Sequence, residues 1–324
     1  MIQILVDWLG YSFRKVSMLT VKGFHDIGYR VFNVVNYWFP LAIQQGTKSI
    51  VIGDTITAFA NASRFKMKKI YWVDSPLEIT NREINAMDEN SCLYTASSWW
   101  CRYYNKIGLR CDGYIPRPID VEVAESVLNV DCSDLISKYG DYIVTVASDQ
   151  TFIPPKKPRK GLDLFDAVCE RLGAKGVRCI AVTNWRLRNS IVVRSGSLDE
   201  YNLLKLVKCA KLFLYTSRSE GFGLPPIEAM AVKQLVVVSN APIYDHVIGI
   251  KFDYEDEIQV YMPEAGRRYI GWDIKVENVV DAVDYALSLS DEEREKIVEK
   301  AYISSKAYTP LKVALALNEV YTYG

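Results

Sequence analysis

An α/β fold of two doubly wound parallel-sheet domains facing across a cleft is predicted by three observations. The chain has 324 residues, enough for about two domains. Short apolar runs alternate with helix-like segments along most of it, the pattern of βαβ units around a parallel sheet. The run Pro116-Arg117-Pro118-Ile119-Asp120 interrupts this alternation, because its two prolines oppose helix and central strand alike. Beyond it the alternation restarts. The domains are expected at 1–135 and 136–307.

The elements follow in order. Residues 2–6 read as the first strand, 14–27 as a helix and 30–35 as the next strand. Short apolar strands are expected at 49–52, 69–73 and 92–94, then a helix at 98–107 and a short strand at 113–115. In the second half, strands are expected at 142–147, 177–182, 191–194, 211–215 and 235–238. Helices are expected at 162–172, 198–209, 225–232, 276–289, 291–302 and 311–321. Ser290 is an N-cap for the helix at 291, with Asp291, Glu292 and Glu293 in its first turn. No repeat or low-complexity tract is visible.

Composition excludes several classes. Hydrophobic residues make 49% and charged residues 24%, as in ordinary globular proteins. Lys+Arg and Asp+Glu are both 39, so no basic excess points to nucleic acid. The run 1–6 is broken by Asp7 and lacks the basic leader of a signal peptide, and no apolar stretch is long enough to span a bilayer. The expected setting is cytoplasmic. Seven scattered cysteines without a Cys-x-x-Cys pair suggest reduced, mostly buried thiols. With only His25 and His246, a His-rich metal site is not expected. Arg64, Lys66, Lys68 and Lys69 form a basic cluster around Phe65 and Met67. It reads as a solvated edge, with peripheral membrane contact as the alternative. No Gly-x-Gly-x-x-Gly follows a strand, and no P-loop occurs.

The most informative stretch runs from Ser217 to Met230, Ser-Arg-Ser-Glu-Gly-Phe-Gly-Leu-Pro-Pro-Ile-Glu-Ala-Met. A glycine-rich turn lies between a strand and a helix and is bracketed by Glu220 and Glu228. The first amides of a helix have no internal partner, and the helix dipole favours an anion there. Gly221 and Gly223 let a ligand approach the backbone, and Pro225 suits a first helical position. The segment offers backbone donors to a phosphate and carboxylates to hydroxyls, the needs of a sugar nucleotide. The simpler reading of Glu228 is that it offsets the helix dipole.

This string resembles the Glu-x7-Glu signature of retaining GT-B glycosyltransferases, especially glycosyltransferase family 4. Ile115-Pro116-Arg117-Pro118-Ile119-Asp120 is similar to the family's Pro-Asn-Gly-Val-Asp passage between domains. Lys160-Gly161 is similar to its Lys-Gly at a helix start. The family's Gly-Arg pair is replaced by Ser148-Asp149, and the loop up to Arg159 is longer than usual. Arg159, Lys156 or Lys157 are candidates for the missing arginine's charge. Val236-Val237-Val238-Ser239-Asn240 resembles the family's Val-Val-Ala-Ser segment, and Ser195-Gly196-Ser197-Leu198 its segment beside the nucleotide base. Asp74 falls where the family often carries a His or His-Asp pair. Asp7 and Gly10 occupy the place of its first loop, with Trp8 and Tyr11 nearby.

The resemblance implies GT-B architecture, two Rossmann-like domains, and a metal-independent retaining hexosyltransferase without cofactor. A UDP- or GDP-sugar would be the donor. The acceptor, a glycan, lipid or protein, stays unidentified. Glu220 would hold the donor sugar, Glu228 the ribose, and the amides of Gly221, Phe222, Gly223 and Leu224 the diphosphate. Lys160, with Arg159 and Ser148, would face the leaving group. Asp74 would act near the reacting sugar and Gly10 beside the acceptor. An N-cap or turn role is the other reading of Asp74. Front-face substitution is implied, with the departing phosphate assisting deprotonation of the acceptor. The last helix, 308–324, is expected to pack back on the first domain. A sugar-nucleotide epimerase or phosphorylase of the same fold, or a non-catalytic sugar-nucleotide-binding protein, are the alternatives.

Overall fold

The computed structural model describes residues 2–7, 11–36, 47–74, 77–87, 91–147, 158–262 and 266–323. The chain forms two compact units. Unit 1 is Met1–Asp120 with Ala307–Gly324, and unit 2 is Val121–Lys306.

Unit 1 holds a parallel sheet of β1 (Ile2–Val6), β2 (Val31–Asn36), β3 (Ser49–Gly53), β4 (Lys69–Val73), β5 (Cys92–Thr95) and β6 (Gly113–Tyr114). The strand order is β2-β1-β3-β4-β5-β6. Every residue of β1, β3 and β4 is buried, the signature of parallel strands covered on both faces. The helices of this unit are α1 (Tyr11–Asp26), α2 (Thr55–Ala62), α3 (Asn81–Ala86), α4 (Ser98–Lys106) and the last helix, α12 (Pro310–Tyr323). Helix α12 packs on α1 and buries Val313, Ala314 and Leu317.

Unit 2 repeats the principle with a different order. Strands β7 (Tyr142–Val146), β8 (Arg178–Thr183), β9 (Ile191–Arg194), β10 (Leu212–Tyr215), β11 (Val236–Ser239) and β12 (Ile250–Phe252) are arranged β12-β11-β10-β7-β8-β9, all parallel. The helices are α5 (Val121–Ser126), α6 (Ser133–Tyr139), α7 (Leu162–Gly173), α8 (Glu200–Lys208), α9 (Leu224–Ala231), α10 (Val276–Ser288) and α11 (Asp291–Ser305). Ile143, Phe165, Leu212, Leu214, Val237, Val279 and Val283 form part of one buried core between the sheet, α7 and α10.

Several elements lie outside the sequence expectations. Helices α2, α3, α5 and α6 have six to eight residues, too short for an apolar period to register. Asp54 starts α2 by accepting from the amides of Ile56 and Thr57, each at 3.0 Å. Between β12 and α10 the chain inserts an antiparallel hairpin, β13 (Glu257–Met262) and β14 (Arg267–Trp272). The unit boundary falls at 120/121, ahead of the 135/136 read from the sequence, because α5 packs on α8 and α9.

Two further readings are corrected. Six of the cysteines are paired, Cys101–Cys111, Cys132–Cys209 and Cys169–Cys179, with Cα atoms 5.4, 5.5 and 5.8 Å apart. Only Cys92 remains a thiol. Scattered spacing concealed the pairs, because the fold brings α6 to α8 and α7 to β8. Lys69 is no part of a basic surface. It is 1% exposed, and its ammonium donates to the carbonyls of Phe65 and Met67, both at 2.9 Å. Arg64, Lys66 and Lys68 are exposed. Among the described residues no helix is long and apolar enough to cross a membrane.

Candidate functional site

In unit 2 the strand order reverses between β7 and β10, and ligands of open α/β sheets lie beyond the carboxyl ends of strands at such a point. Two segments meet there. One is Pro158 to Gly161, which leads from β7 into α7. The other is the loop from Thr216 to Gly223, which leads from β10 into α9. They are joined by hydrogen bonds. Thr216 Oγ1 donates to the carbonyl of Gly161 at 2.8 Å, and Ser217 Oγ to that of Arg159 at 3.3 Å. The amide of Arg218 donates to the Arg159 carbonyl at 2.8 Å, and Arg159 Nη1 to the Ser219 carbonyl at 3.0 Å. Gly161 has φ +63°, and a Cβ there would lie 1.9 Å from the Thr216 carbonyl oxygen. Only glycine allows this approach.

Glu220 stands at the centre, 7% exposed. Its Oε1 accepts from Lys160 Nζ and from the Tyr215 hydroxyl, each at 2.5 Å. Arg159 Nη1 lies 3.7 Å from Oε2. Burial alone would raise the carboxyl pKa. The charges of Lys160 and Arg159, with the hydrogen bonds from Lys160 and Tyr215, outweigh burial and hold it below the ordinary value. Burial, then the charge of Glu220, push the Tyr215 phenol well above its ordinary pKa, so it remains a donor. Tyr244 is also buried and donates to the Ser217 carbonyl at 3.0 Å. The result is an ionised carboxylate facing two cations, rather than a proton-sharing acid.

The glycine turn ends at Gly223, which caps α9 with φ +85°. The helix starts at Leu224, one residue earlier than expected. Pro225 and Pro226 carry no N–H, so the helix start offers the amides of Gly223 and Leu224 rather than a full set of four. Phe222 is buried and stacks on His246, with ring centroids 4.6 Å apart and planes at 7°. Glu228 is half-buried in the second turn of α9, four residues after Leu224 and on the same face.

Unit 2 therefore brings together Glu220, Lys160, Arg159, Gly221, Phe222, Gly223 and Leu224, with Glu228 one turn along α9. Asp74 belongs to unit 1, just after β4. It is 7% exposed and faces Arg117, whose Nη2 lies 3.4 Å from Oδ2. The Arg117 guanidinium sits 4.3 Å from the centre of the Trp72 ring. Ser148 and Gly10 lie outside the described residues, as do Trp8, Asp149, Lys156 and Lys157. Sequence reasoning missed Tyr215, Arg218 and Tyr244. A tyrosine ending a buried strand carries no signal until its partner, five residues on in a turn, is placed in space.

Residues 188–303 match the family model for glycosyl transferases group 1. That span contains Glu220 and Glu228 but not Lys160. Over 226 aligned residues the chain is 26% identical to "Putative glycosyltransferase 41" of Sulfolobus islandicus filamentous virus (isolate Iceland/Hveragerdi). The alignment covers 69% of this chain and 62% of the length of that relative. The crystal structure of a glycosyltransferase from Rickettsia africae ESF-5 superposes with a TM-score of 0.70 at 14% identity, over 99% of this chain and 97% of that one. A solved structure described as trehalose-6-phosphate from E. coli bound with UDP-2-fluoro glucose superposes with a TM-score of 0.61 at 13% identity, over 87% of this chain and 74% of that one. The fold is GT-B, with two Rossmann-like parallel-sheet domains. The stretch that carries Glu220 and Glu228 lies within the part of the chain that matches the group 1 glycosyl transferase model.

Proposed function

We propose that the protein is a retaining glycosyltransferase that moves a sugar from a nucleoside-diphosphate sugar to an acceptor without a metal ion. The observation that carries this reading is the buried, ionised Glu220 against Lys160 and Arg159, beside the glycine turn that opens α9. An ionised carboxylate accepts hydrogen bonds from sugar hydroxyls and orients the anomeric carbon. A diphosphate leaving group gains negative charge as the glycosidic bond breaks. Lys160, Arg159 and the amides of Gly223 and Leu224 are the donors for that charge, which they stabilise most in the transition state. Glu228 accepts from the ribose hydroxyls, a part carboxylates also play in dinucleotide folds. The UDP-sugar analogue named for the E. coli neighbour makes a UDP-sugar the first donor to test, ahead of GDP-sugars. Asp74 is assigned to the acceptor side, and the departing phosphate takes the acceptor's proton.

The test is a panel of UDP-, GDP-, ADP- and TDP-sugars read by thermal shift and donor hydrolysis, with and without EDTA. One nucleotide class is expected to stabilise the wild type, unaffected by EDTA. Lys160→Ala is expected to lower kcat about 10²–10³-fold, the loss of one preorganised donor to developing charge. Glu228→Ala is expected to weaken nucleotide binding with a smaller effect on kcat. Binding indifferent to Glu220→Ala and Glu228→Ala would remove the site assignment. Epimerised or phosphorolysed donor with no transfer would replace a transferase by an epimerase or phosphorylase.

A further inference from the structure

We propose that Arg218 is a positioning residue whose guanidinium clamps the Lys160 turn and the start of α7 to the Glu220 loop, and so sets the Lys160–Glu220 contact. The inference rests on the reading of Glu220 and Lys160 as the donor site. Arg218 is two residues from Glu220, yet it points away from it and is 3% exposed. Its Nη1 and Nη2 reach the two carboxylate oxygens of Asp163 at 2.8 and 2.9 Å. Nη1 also donates to the Pro158 carbonyl at 2.8 Å. Pro158 and Asp163 bracket the turn that carries Arg159 and Lys160. One side chain thus holds both ends of the cationic turn, while its own backbone belongs to the carboxylate loop.

The backbone of Arg218 completes the clamp. Its amide donates to the Arg159 carbonyl, and its carbonyl accepts from the Trp272 amide at 2.9 Å. Ser219 Oγ donates to the carbonyl of Ile270. The inserted β13–β14 hairpin therefore backs the same loop through β14. A planar guanidinium fits this arrangement, because its fork matches a carboxylate while one nitrogen still serves a carbonyl. A lysine ammonium has no such fork. The Lys160 turn contains Gly161 at positive φ, and these cross-links tie it to the Glu220 loop.

The test begins without a ligand. The Glu220 carboxyl is titrated by side-chain carbon NMR, with Glu220→Gln for assignment. The groups that face it are Lys160, Arg159, Tyr215 and Tyr244. In the wild type it is expected to titrate below the ordinary glutamate value of about 4.3. In Arg218→Gln it is expected to titrate higher, because the Lys160 turn loses its fixed distance. Asp163→Asn, on an exposed helix position, is expected to shift it in the same direction and serves where Arg218→Gln does not fold. Arg218→Lys is expected to restore part of the shift. In donor hydrolysis, Arg218→Gln is expected to lower kcat on the order of 10- to 100-fold, with KM changed less. On a Lys160→Ala background it is expected to cost little more. An unchanged Glu220 titration in folded Arg218→Gln or Asp163→Asn would overturn the clamp. So would a full multiplicative loss on the Lys160→Ala background. A wild type that neither binds nor turns over any nucleotide sugar would overturn the glycosyltransferase reading, and the titration would still decide the clamp.

Discussion

Glu220 in unit 2 and Asp74 in unit 1 invite comparison, because they are alike by every simple measure. Each carboxylate lies at or beyond the carboxyl end of a parallel strand, each is 7% exposed, and each faces a cation. The difference lies in strand order. Unit 2 reverses between β7 and β10, and the loops after those two strands carry Lys160 and Glu220. Unit 1 reverses between β1 and β3, where Asp7 and Asp54 follow the strands, while Asp74 follows β4, one strand away. The partners differ as well. Lys160 and Arg159 retain 13% and 21% side-chain exposure, whereas Arg117 has 3% and lies over Trp72. A buried carboxylate at a strand end becomes a candidate site when it borders the switch point, part-exposed cations and a glycine-capped helix start together. Asp74 pairs with the more deeply buried Arg117 away from a switch point, so its ion pair is expected to weigh more on stability.

That contrast can be broken by stability measurements. Asp74→Ala strands the Arg117 charge in a dry setting and is expected to cost about 3–5 kcal/mol in urea unfolding. Asp74→Asn with Arg117→Gln is expected to cost less than Asp74→Ala alone. Glu220→Ala, with Lys160 near the surface, is expected to cost less stability while removing the donor response. Equal stability losses at the two sites would erase the distinction.

The disulfides sharpen the comparison of the units. Cys132–Cys209 closes a separation of 77 residues in unit 2, and Cys101–Cys111 one of 10 in unit 1. Loop-closure entropy gives about 4.5 kcal/mol for the first and about 2.7 kcal/mol for the second. Cys132→Ser is therefore expected to lower Tm more than Cys101→Ser. Labelling of denatured, unreduced protein is expected to find a single thiol, at Cys92.

The last contrast concerns pH. Burial, then the charge of Lys251, push His246 down to about 4, against the weaker opposing hydrogen bond with Phe222. The unfolded chain binds this proton near 6.5 and the folded chain does not, so stability is full above 6.5 and falls as pH drops toward 4. The whole change is at most about 3 kcal/mol. Thermal melts of wild type are expected to lose more stability between pH 6.5 and 4.5 than those of His246→Gln. Because His246 stacks on Phe222, the donor turn is expected to loosen in the same range, read as weaker nucleotide protection.

The amino-acid sequence by itself determined the alternation of strands and helices, the break near Pro116, and the strand–glycine turn–helix around Glu220. These are local properties, set by apolar period, backbone freedom and proline. It also placed Lys160 at the start of a helix. It did not carry the pairing of Lys160 and Arg159 with a carboxylate some 60 positions away, nor the Tyr215 hydroxyl beneath it. It did not carry the Arg218–Asp163 clamp, the hairpin behind it, or the three disulfides. Those contacts depend on which strands become neighbours, and neighbours in a doubly wound sheet are chosen by the burial of whole faces. Only the tertiary structure decided that Glu220 meets its cations at a switch point, while Asp74 is turned toward a buried arginine.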